Sequence, residues 1–594
     1  MHEQLLANSQ YNDTTKHIHY KGGHMRKSLS IILLLILGLI LLLTACSTNE
    51  PADSEKPPET GKETVANPAL AREGAEDTII IGISEAKGEF MPLYYSTAYD
   101  ENIIGLMFDP LILNDEEGNY IPHVAEHWEV SEDGRTYTFY LRDDVKFWDG
   151  TPLTANDVEF TYLAMADPNY DGRHYSYVQG IEGYEDYKEG KATNLSGIRV
   201  IDNHTISFTF KEELVANLGY CGMPIMPKHY YGFDKGDIER LKEKMLEPLG
   251  SGGYKFTVFE PGQYIQFQAN HDYFLGTPKV KNLILKFVTA DNQMAELEAG
   301  RVDVLDGIIS TEENLKAVEE MGYVRLNSFL NNGYAFFGLN LRDARLADKR
   351  IRQALVYGLD RQSFVDSYFN GYVLCNAPIA LASWAFTDGI EQNLNKYEFN
   401  LDKARELLDE AGWKLREDGI REKDGMKLDF ILSTYREAEW VGQVAAVAKD
   451  NWSKLGIKVE IESMDFDSLM YKVYEKQDVQ IWAQAWALDI DPDPYSIFHS
   501  SQAEAPGYNA GGFINKRSDE LLELARRTRN QEERKKIYEE WGLLINEELP
   551  YIFIYQREHW HIINERIKGF DCSAFVDWSY PQVYLNWEIQ NSNN

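Results

Sequence analysis

The chain has 594 residues, of which 44% are hydrophobic and 26% charged. That balance suits a soluble globular protein, and the length exceeds what one core supports, so several compact units are expected. A formal net charge of −36 gives a surface that repels phosphate backbones and excludes nucleic acid as a partner.

Residues 1–24 fit no targeting signal, and Met25 is the better start, so this stretch is expected to be an over-extended reading frame. From Leu29 to Ala45 the chain reads "LSIILLLILGLILLLTA" behind Arg26 and Lys27. A basic n-region followed by an apolar h-region makes residues 25–45 a secretory signal, and the run is short for a membrane span. Leu43-Thr44-Ala45-Cys46 resembles the bacterial lipobox, which implies cleavage before Cys46 and its lipidation. A plain transmembrane anchor is the alternative. The polar, proline-rich residues 46–77 lack apolar periodicity and read as a flexible tether. Cys221, Cys375 and Cys572 follow at wide spacing, with no metal pattern; buried free thiols are expected, with one disulfide as the alternative.

Strand-like runs begin at Thr78 ("TIIIGIS") and continue at 136–142, 205–210, 263–268, 283–288, 428–432 and 459–463. Helical patterns alternate with them. Asn400 suits an N-cap, Ala404, Leu407, Leu408 and Ala411 share one face, and Gly412 suits the C′ position. Asn530 and Glu533 form a capping-box pattern ahead of an Ile537, Trp541, Leu544, Ile545 stripe that Pro550 closes. The fold class is therefore α/β, or mixed α+β, built as lobes around sheets.

Three stretches invite chemistry. His123 to His127 ("HVAEH") has the H-x-x-E-H spacing of a zinc-peptidase helix. Pro122 stands before it and the strand "TYTFYLR" soon follows, which leaves room for one helical turn. Asp489, Asp491 and Asp493 ("LDIDPDPYS") mimic the start of a calcium loop. Pro494 and Ser500 occupy the positions that need Gly and Glu, so that geometry fails. "GSGG" at 250–253 lacks the lysine of a phosphate loop. No nucleophile, base and orienter group together, so no enzyme, resident metal or cofactor is expected; a zinc hydrolase is the remote alternative.

The stretch "IPHVAEHWEVSEDGRTYTFYLRDDVKFWDGTPLTANDVEF" is more specific. It resembles the family 5 extracellular solute-binding proteins of ABC importers, the oligopeptide-, dipeptide- and nickel-binding group. Pro122, Val124, Ala125, Glu126 and Trp128 fit the family pattern, and the two histidines fall at its free positions. "LEAGRVDV", "LADKRIRQALVYGLDRQSFV", "YEFNLDKARELLDEAGW", "AWALDIDPDPYSIF" and "ELPYIFIY" match in the same order.

The resemblance implies a two-lobed periplasmic-binding-protein-like fold of the class II, cluster C type, with a subdomain inserted in the first lobe. Lobe I would comprise 78–108, 226–324 and 556–594, the insertion 109–225, and lobe II 325–555. It implies a monomer, tethered outside the membrane through Cys46, that captures oligopeptides between the lobes and passes them to ABC permease subunits. Asp489 would pair with the ligand's α-ammonium group, because a partly desolvated ammonium needs a charged partner. Trp486, Tyr99, Tyr175, Phe336 and Phe466 would line the cleft. Some relatives carry a basic residue before that Trp to hold a short peptide's carboxylate. Here the neighbourhood is "QIWAQAW", so longer or variable peptides are expected. A cysteine that follows the Trp in some relatives is Ala487 here, so its disulfide is absent. A nickel chelate, haem, a sugar or a signalling peptide is the alternative ligand.

Overall fold

The computed structural model describes residues 67–590, apart from 309 and 369–370. The expected extension, signal segment and Cys46 lie outside the described residues.

Lobe I is organised by a seven-stranded sheet. Its spatial order is Val324–Leu330, Glu558–Asn564, Val304–Asp306, Thr78–Ile83, Asn282–Phe287, Tyr264–Ala269 and Tyr254–Glu260. Thr78–Ile83 runs parallel to both its neighbours. Side chains alternate across a strand, so this one serves two cores. Ile79, Ile81 and Ile83 enter the large one, while Ile80 packs with Leu297, Leu305 and Ile562 on the other face. A separate antiparallel sheet lies within the segment expected as the insertion. Its order is Ala125–Val130, Thr136–Leu141, Thr205–Thr209, Ile198–Asp202.

Lobe II is built on a six-stranded sheet ordered Val373–Leu374, Tyr551–Gln556, Gly333–Leu339, Ile481–Ala487, Asp429–Tyr435 and Lys458–Met464. The last three are mutually parallel, and the helix Glu439–Ser453 makes one crossover. Every residue of Gly333–Leu339 is buried. Ala335, Phe337 and Leu339 enter one core, and Tyr334 and Phe336 enter the core on the opposite face. A strand covered on both faces reads as a continuous apolar run.

The chain passes between these sheets at 331–332 and again at Arg557. The two crossings are bonded side by side, with the Asn331 N–H donating to the Arg557 carbonyl at 2.9 Å. The expected entry into lobe II at 325 therefore moves to 331, because residues 324–330 pair with Glu558–Asn564 in the lobe I sheet.

Local expectations from the sequence meet three other outcomes. Asn400 caps Leu401–Glu410, accepting the Lys403 N–H, and Asn530 caps Gln531–Glu548, accepting the Glu533 N–H. Gly412 follows the C-cap Ala411 at φ +87°. The tether expected to reach residue 77 is already packed from Asn67 onward. Asn67 Nδ2 donates to Asn564 Oδ1 at 2.7 Å, Arg72 binds buried Asp303 at 2.6 Å, and Ala69 is fully buried. All three described cysteines are free and buried.

Candidate functional site

In open α/β sheets, ligands meet the loops beyond the carboxyl ends of parallel strands. In lobe II those ends are Tyr435, Met464 and Ala487. Beyond Ala487 comes the Asp-rich loop, which the hinge itself holds in place. Asn332 Nδ2 donates to the carbonyls of Leu488 and Asp489 at 3.0 and 2.9 Å, and the Leu488 N–H donates to the Asn332 carbonyl at 2.9 Å.

The three aspartates of this loop have different fates. Asp491 forms a bidentate pair with Arg534, both bonds at 2.8 Å. Asp493 pairs with Arg526 at 2.9 Å and accepts the Tyr495 N–H at 3.1 Å. Burial pushes the Asp493 carboxyl up to about 6 despite Arg526, with the Asp491 charge adding to the rise. None of the described residues bonds to the Asp489 carboxylate. Water reaches it, yet the surrounding protein desolvates it enough to raise its pKa, and Asp491 raises it further. The carboxylate is thus open to solvent on one side and crowded by protein on the other.

The opposite wall comes from lobe I and its insertion. Helix Ala98–Met107, capped by Thr97, carries Glu101, whose carboxylate is exposed to water and accepts the Tyr95 hydroxyl at 3.2 Å. Burial in the cleft raises the Glu101 pKa, and Asp489 is among the charges it feels. Tyr177, Tyr220 and Tyr120 are each raised first by burial, and each feels the charge of Asp489. The Tyr177 and Tyr220 rings meet edge-on at 5.9 Å. At the cleft mouth the walls touch: Arg529 pairs with Glu213 at 2.7 Å, and Gln531 donates to Asn119 at 3.2 Å.

Trp486 is half-buried, with Tyr508 against it edge-on at 5.8 Å and Phe336 stacked behind it at 6.1 Å. Phe336, expected to line the cleft, is fully buried and stacks on Tyr551 at 4.1 Å. It points to the inner face of its strand and supports Trp486 from beneath. Phe466 is 40% exposed beyond the neighbouring strand, edge-on to Tyr435 at 5.1 Å. Tyr99 and Tyr175 are exposed, and the residues that share the space of Asp489 are Glu101 and Tyr177, two positions on in each case. Which of two nearby residues turns toward Asp489 depends on helix phase, which the sequence alone does not fix.

The "HVAEH" stretch forms no helix. Ala125–Val130 is a strand, so the geometry of a zinc-peptidase helix is missing. Buried His123 binds Asp109 at 2.7 Å, and His127 stacks on Tyr140 at 4.3 Å. "GSGG" packs where side chains cannot fit: a Cβ on Gly250 would lie 1.9 Å from the Met107 carbonyl oxygen. Two other cavities, of about 610 and 540 Å³, are lined by Lys228 and His229 and by Arg361 and Gln556, away from Asp489.

The profile of the bacterial extracellular solute-binding proteins, family 5, matches residues 119–509. The chain belongs to this family. As a solute-binding protein of ABC transporters it is not an enzyme, and proteins of this family act outside the cytoplasmic membrane. Oligopeptide-binding protein AppA of Bacillus subtilis is 28% identical over 550 residues, spanning 92% of this chain and 96% of that protein. OppA of Lactococcus lactis subsp. cremoris is 28% identical over 433 residues, 68% of this chain and 71% of that one. Among solved structures, B. subtilis AppA in complex with a nonapeptide superposes with a TM-score of 0.70 at 28% identity, covering 86% of this chain and 99% of AppA. NikZ from Campylobacter jejuni in complex with Ni(L-His) gives 0.69 at 26% identity, covering 86% and 99%. The solute-binding protein described here shares their two-lobed fold.

Proposed function

We propose that this solute-binding protein captures oligopeptides in the cleft between its lobes, with Asp489 as counter-charge to the α-ammonium group, and delivers them to an ABC importer. One observation carries the reading. Of three aspartates in the loop beyond the carboxyl end of a central strand, two are neutralised by arginines and the third, Asp489, is left free in the cleft wall. A desolvated carboxylate without a partner gains most from a bound cation. Trp486 and Tyr508 on one side, and Tyr177, Tyr220 and Tyr120 on the other, offer apolar faces with polar tips to side chains of varied type. The absence of a basic residue in "QIWAQAW" fits peptides of variable length, and the relative solved with a nonapeptide supports that reading. Ligand contacts with both lobes favour the closed state, the form an importer can distinguish from the empty one.

The test compares free-amine peptides with N-acetylated ones on parent protein and Asp489→Asn. A hydrogen bond to a charged group contributes about 1.5–3 kcal/mol, so the variant loses roughly 10- to 150-fold in affinity for free-amine peptides and little for acetylated ones. Equal losses for both refute the ammonium role. Native mass spectrometry of the protein as purified checks the ligand class, and a haem or metal chelate as sole cargo refutes peptide capture.

The lipobox-like run ending at Cys46 supports a lipid-anchored protein on the outer face of the membrane, acting as a monomer. A single such anchor with a short tether keeps the lobes near the permease. Metabolic labelling with a fatty-acid analogue should mark the parent and not Cys46→Ser; a parent that takes up no label argues against the anchor.

A further inference from the structure

A second polar cluster lies in lobe I, at the foot of the hinge, with no part in the peptide reading. His559 and His561 stand two residues apart on the strand Glu558–Asn564, so they share one face. The same strand pairs His561 directly opposite Asp306 on Val304–Asp306. His559 Nε2 lies 2.8 Å from Asp306 Oδ1, and His561 Nε2 lies 3.2 Å from the same oxygen. Asp577 Oδ1 is 3.8 Å from His561 Nε2. Donor atoms of Asp306, His559 and His561 fall within 4.8 Å of one another, as do those of His561, Cys572 and Asp577.

The state of His561 sets this cluster apart from an ordinary His–Asp network. The side chain is fully buried; its Nε2 faces Asp306 Oδ1 at 3.2 Å, and its Nδ1 has no hydrogen-bond partner among the described residues. Leaving such a group unpaired costs about 1–3 kcal/mol. The surrounding groups are also arranged as outer-shell partners of a metal site are. Trp578 Nε1 donates to Asp306 Oδ2 at 3.0 Å and Asn102 Nδ2 donates to Asp577 Oδ2 at 3.1 Å, which turns the Oδ1 atom of each carboxylate inward. The Asp577 Oδ1 atom also accepts the Trp578 N–H at 2.7 Å. Phe329 stacks on His559 at 5.4 Å and fixes its ring plane.

We propose that Asp306, His559 and His561 bind one transition-metal ion of the zinc class, with the fourth position left to water. A tetrahedral site with bonds of about 2.0–2.2 Å spaces its donors by roughly 3.4 Å, and Asp306 Oδ1 lies 2.8 and 3.2 Å from the two imidazole nitrogens. Two imidazoles and a carboxylate favour zinc, cobalt or nickel over calcium or magnesium, which prefer all-oxygen shells. The ion ties the strand after the Arg557 crossing to Val304–Asp306. It is a resident ion held by the protein's own side chains, separate from any cargo at Asp489.

The test titrates the chelator-washed full chain with cobalt(II), then zinc(II). The expected result is one equivalent of cobalt with the strong visible absorption of a tetrahedral centre, displaced by one equivalent of zinc. His559→Gln, at a partly exposed position, should weaken cobalt binding at least tenfold while circular dichroism stays unchanged. Trp578→Phe should weaken it roughly 10-fold by releasing Asp306. His127→Ala, an exposed histidine outside the cluster, should bind as the parent does. Absence of stoichiometric binding, a weakly coloured octahedral spectrum, or equal losses in His559→Gln and His127→Ala each overturn the site.

Discussion

Replacing Arg534 with Met should reveal how the Asp-rich loop is held. The Arg534 and Asp491 side chains are only 4% and 11% exposed, and two bonds of 2.8 Å join them. Arg534 also donates to the Tyr538 hydroxyl at 2.9 Å. Removing one partner of a buried pair leaves an uncompensated charge and costs about 3–5 kcal/mol. The stranded Asp491 would also push up Asp489 and Asp493, both of which already feel its charge. Urea unfolding should therefore show an unfolding free energy lowered by that amount, with the midpoint falling by that amount divided by an unchanged slope, and free-amine peptides should bind more weakly at neutral pH. The double variant Arg534→Met, Asp491→Leu removes both charges and should recover to within about 1 kcal/mol of the parent, since apolar replacement of buried pairs is often neutral. A double variant as unstable as the single one, or a single variant losing under about 1 kcal/mol, refutes the assignment of Asp491 to Arg534 as a stabilising pair.

Three further outcomes follow from other parts of the molecule. The Asp489 pKa is raised in the folded protein, so its favourable contribution to stability is present at low pH and lost as pH rises through the folded value. Asp489→Asn should accordingly be more stable than the empty parent at neutral pH, and the parent's affinity for free-amine peptides should fall as pH drops through the raised value; calorimetry at several pH values checks both. Gly250→Ala puts a Cβ 1.9 Å from the Met107 carbonyl oxygen, in backbone that cannot yield cheaply, so a loss of about 3 kcal/mol or more is expected in thermal unfolding. A chain that begins at Thr78 loses the bond from Arg72 to Asp303 at 2.6 Å and the Asn67–Asn564 pair at 2.7 Å. It should unfold about 3 kcal/mol more easily than one beginning before Asn67, and equal stability would show that residues 67–77 are dispensable.

Much of the architecture was legible where period and punctuation agree. The 136–141 strand alternates between buried and half-buried positions, and the helices after Asn400 and Asn530 carry their caps in the sequence. The central strands of lobe II were not marked out. Gly333–Leu339 is covered on both faces along its whole length and Ile481–Ala487 over its first four residues, so their apolar runs carry no alternation to separate strand from buried helix. At the site, Asp489 and Trp486 stand out in the sequence because they lie in one family-like motif. Glu101 and Tyr177 do not, because their position near Asp489 depends on helix phase and on a partner lobe hundreds of residues away. The H-x-x-E-H spacing misleads for a related reason. A motif on a strand does not project its side chains as it would on a helix, whereas Asp306 meets His559 and His561 from a strand about 250 residues earlier.

The paired crossings at 331–332 and 557 have a mechanical consequence. The segment 324–339 runs antiparallel to 551–564 through both sheets, so the lobes are joined by a continuous two-stranded leaf spring. Such a spring bends across its flat face and resists shear within its plane, so the lobes have one soft direction of travel. Asn332 sits at the bending point and grips the carbonyls of Leu488 and Asp489. The backbone that carries Asp489 is therefore held at the fulcrum, where displacement is smallest, and the tyrosines of the opposite wall travel the longer arc. On the proposed reading, a ligand's charged end would be seated at the still point, and the rest of the molecule covered as the arc closes.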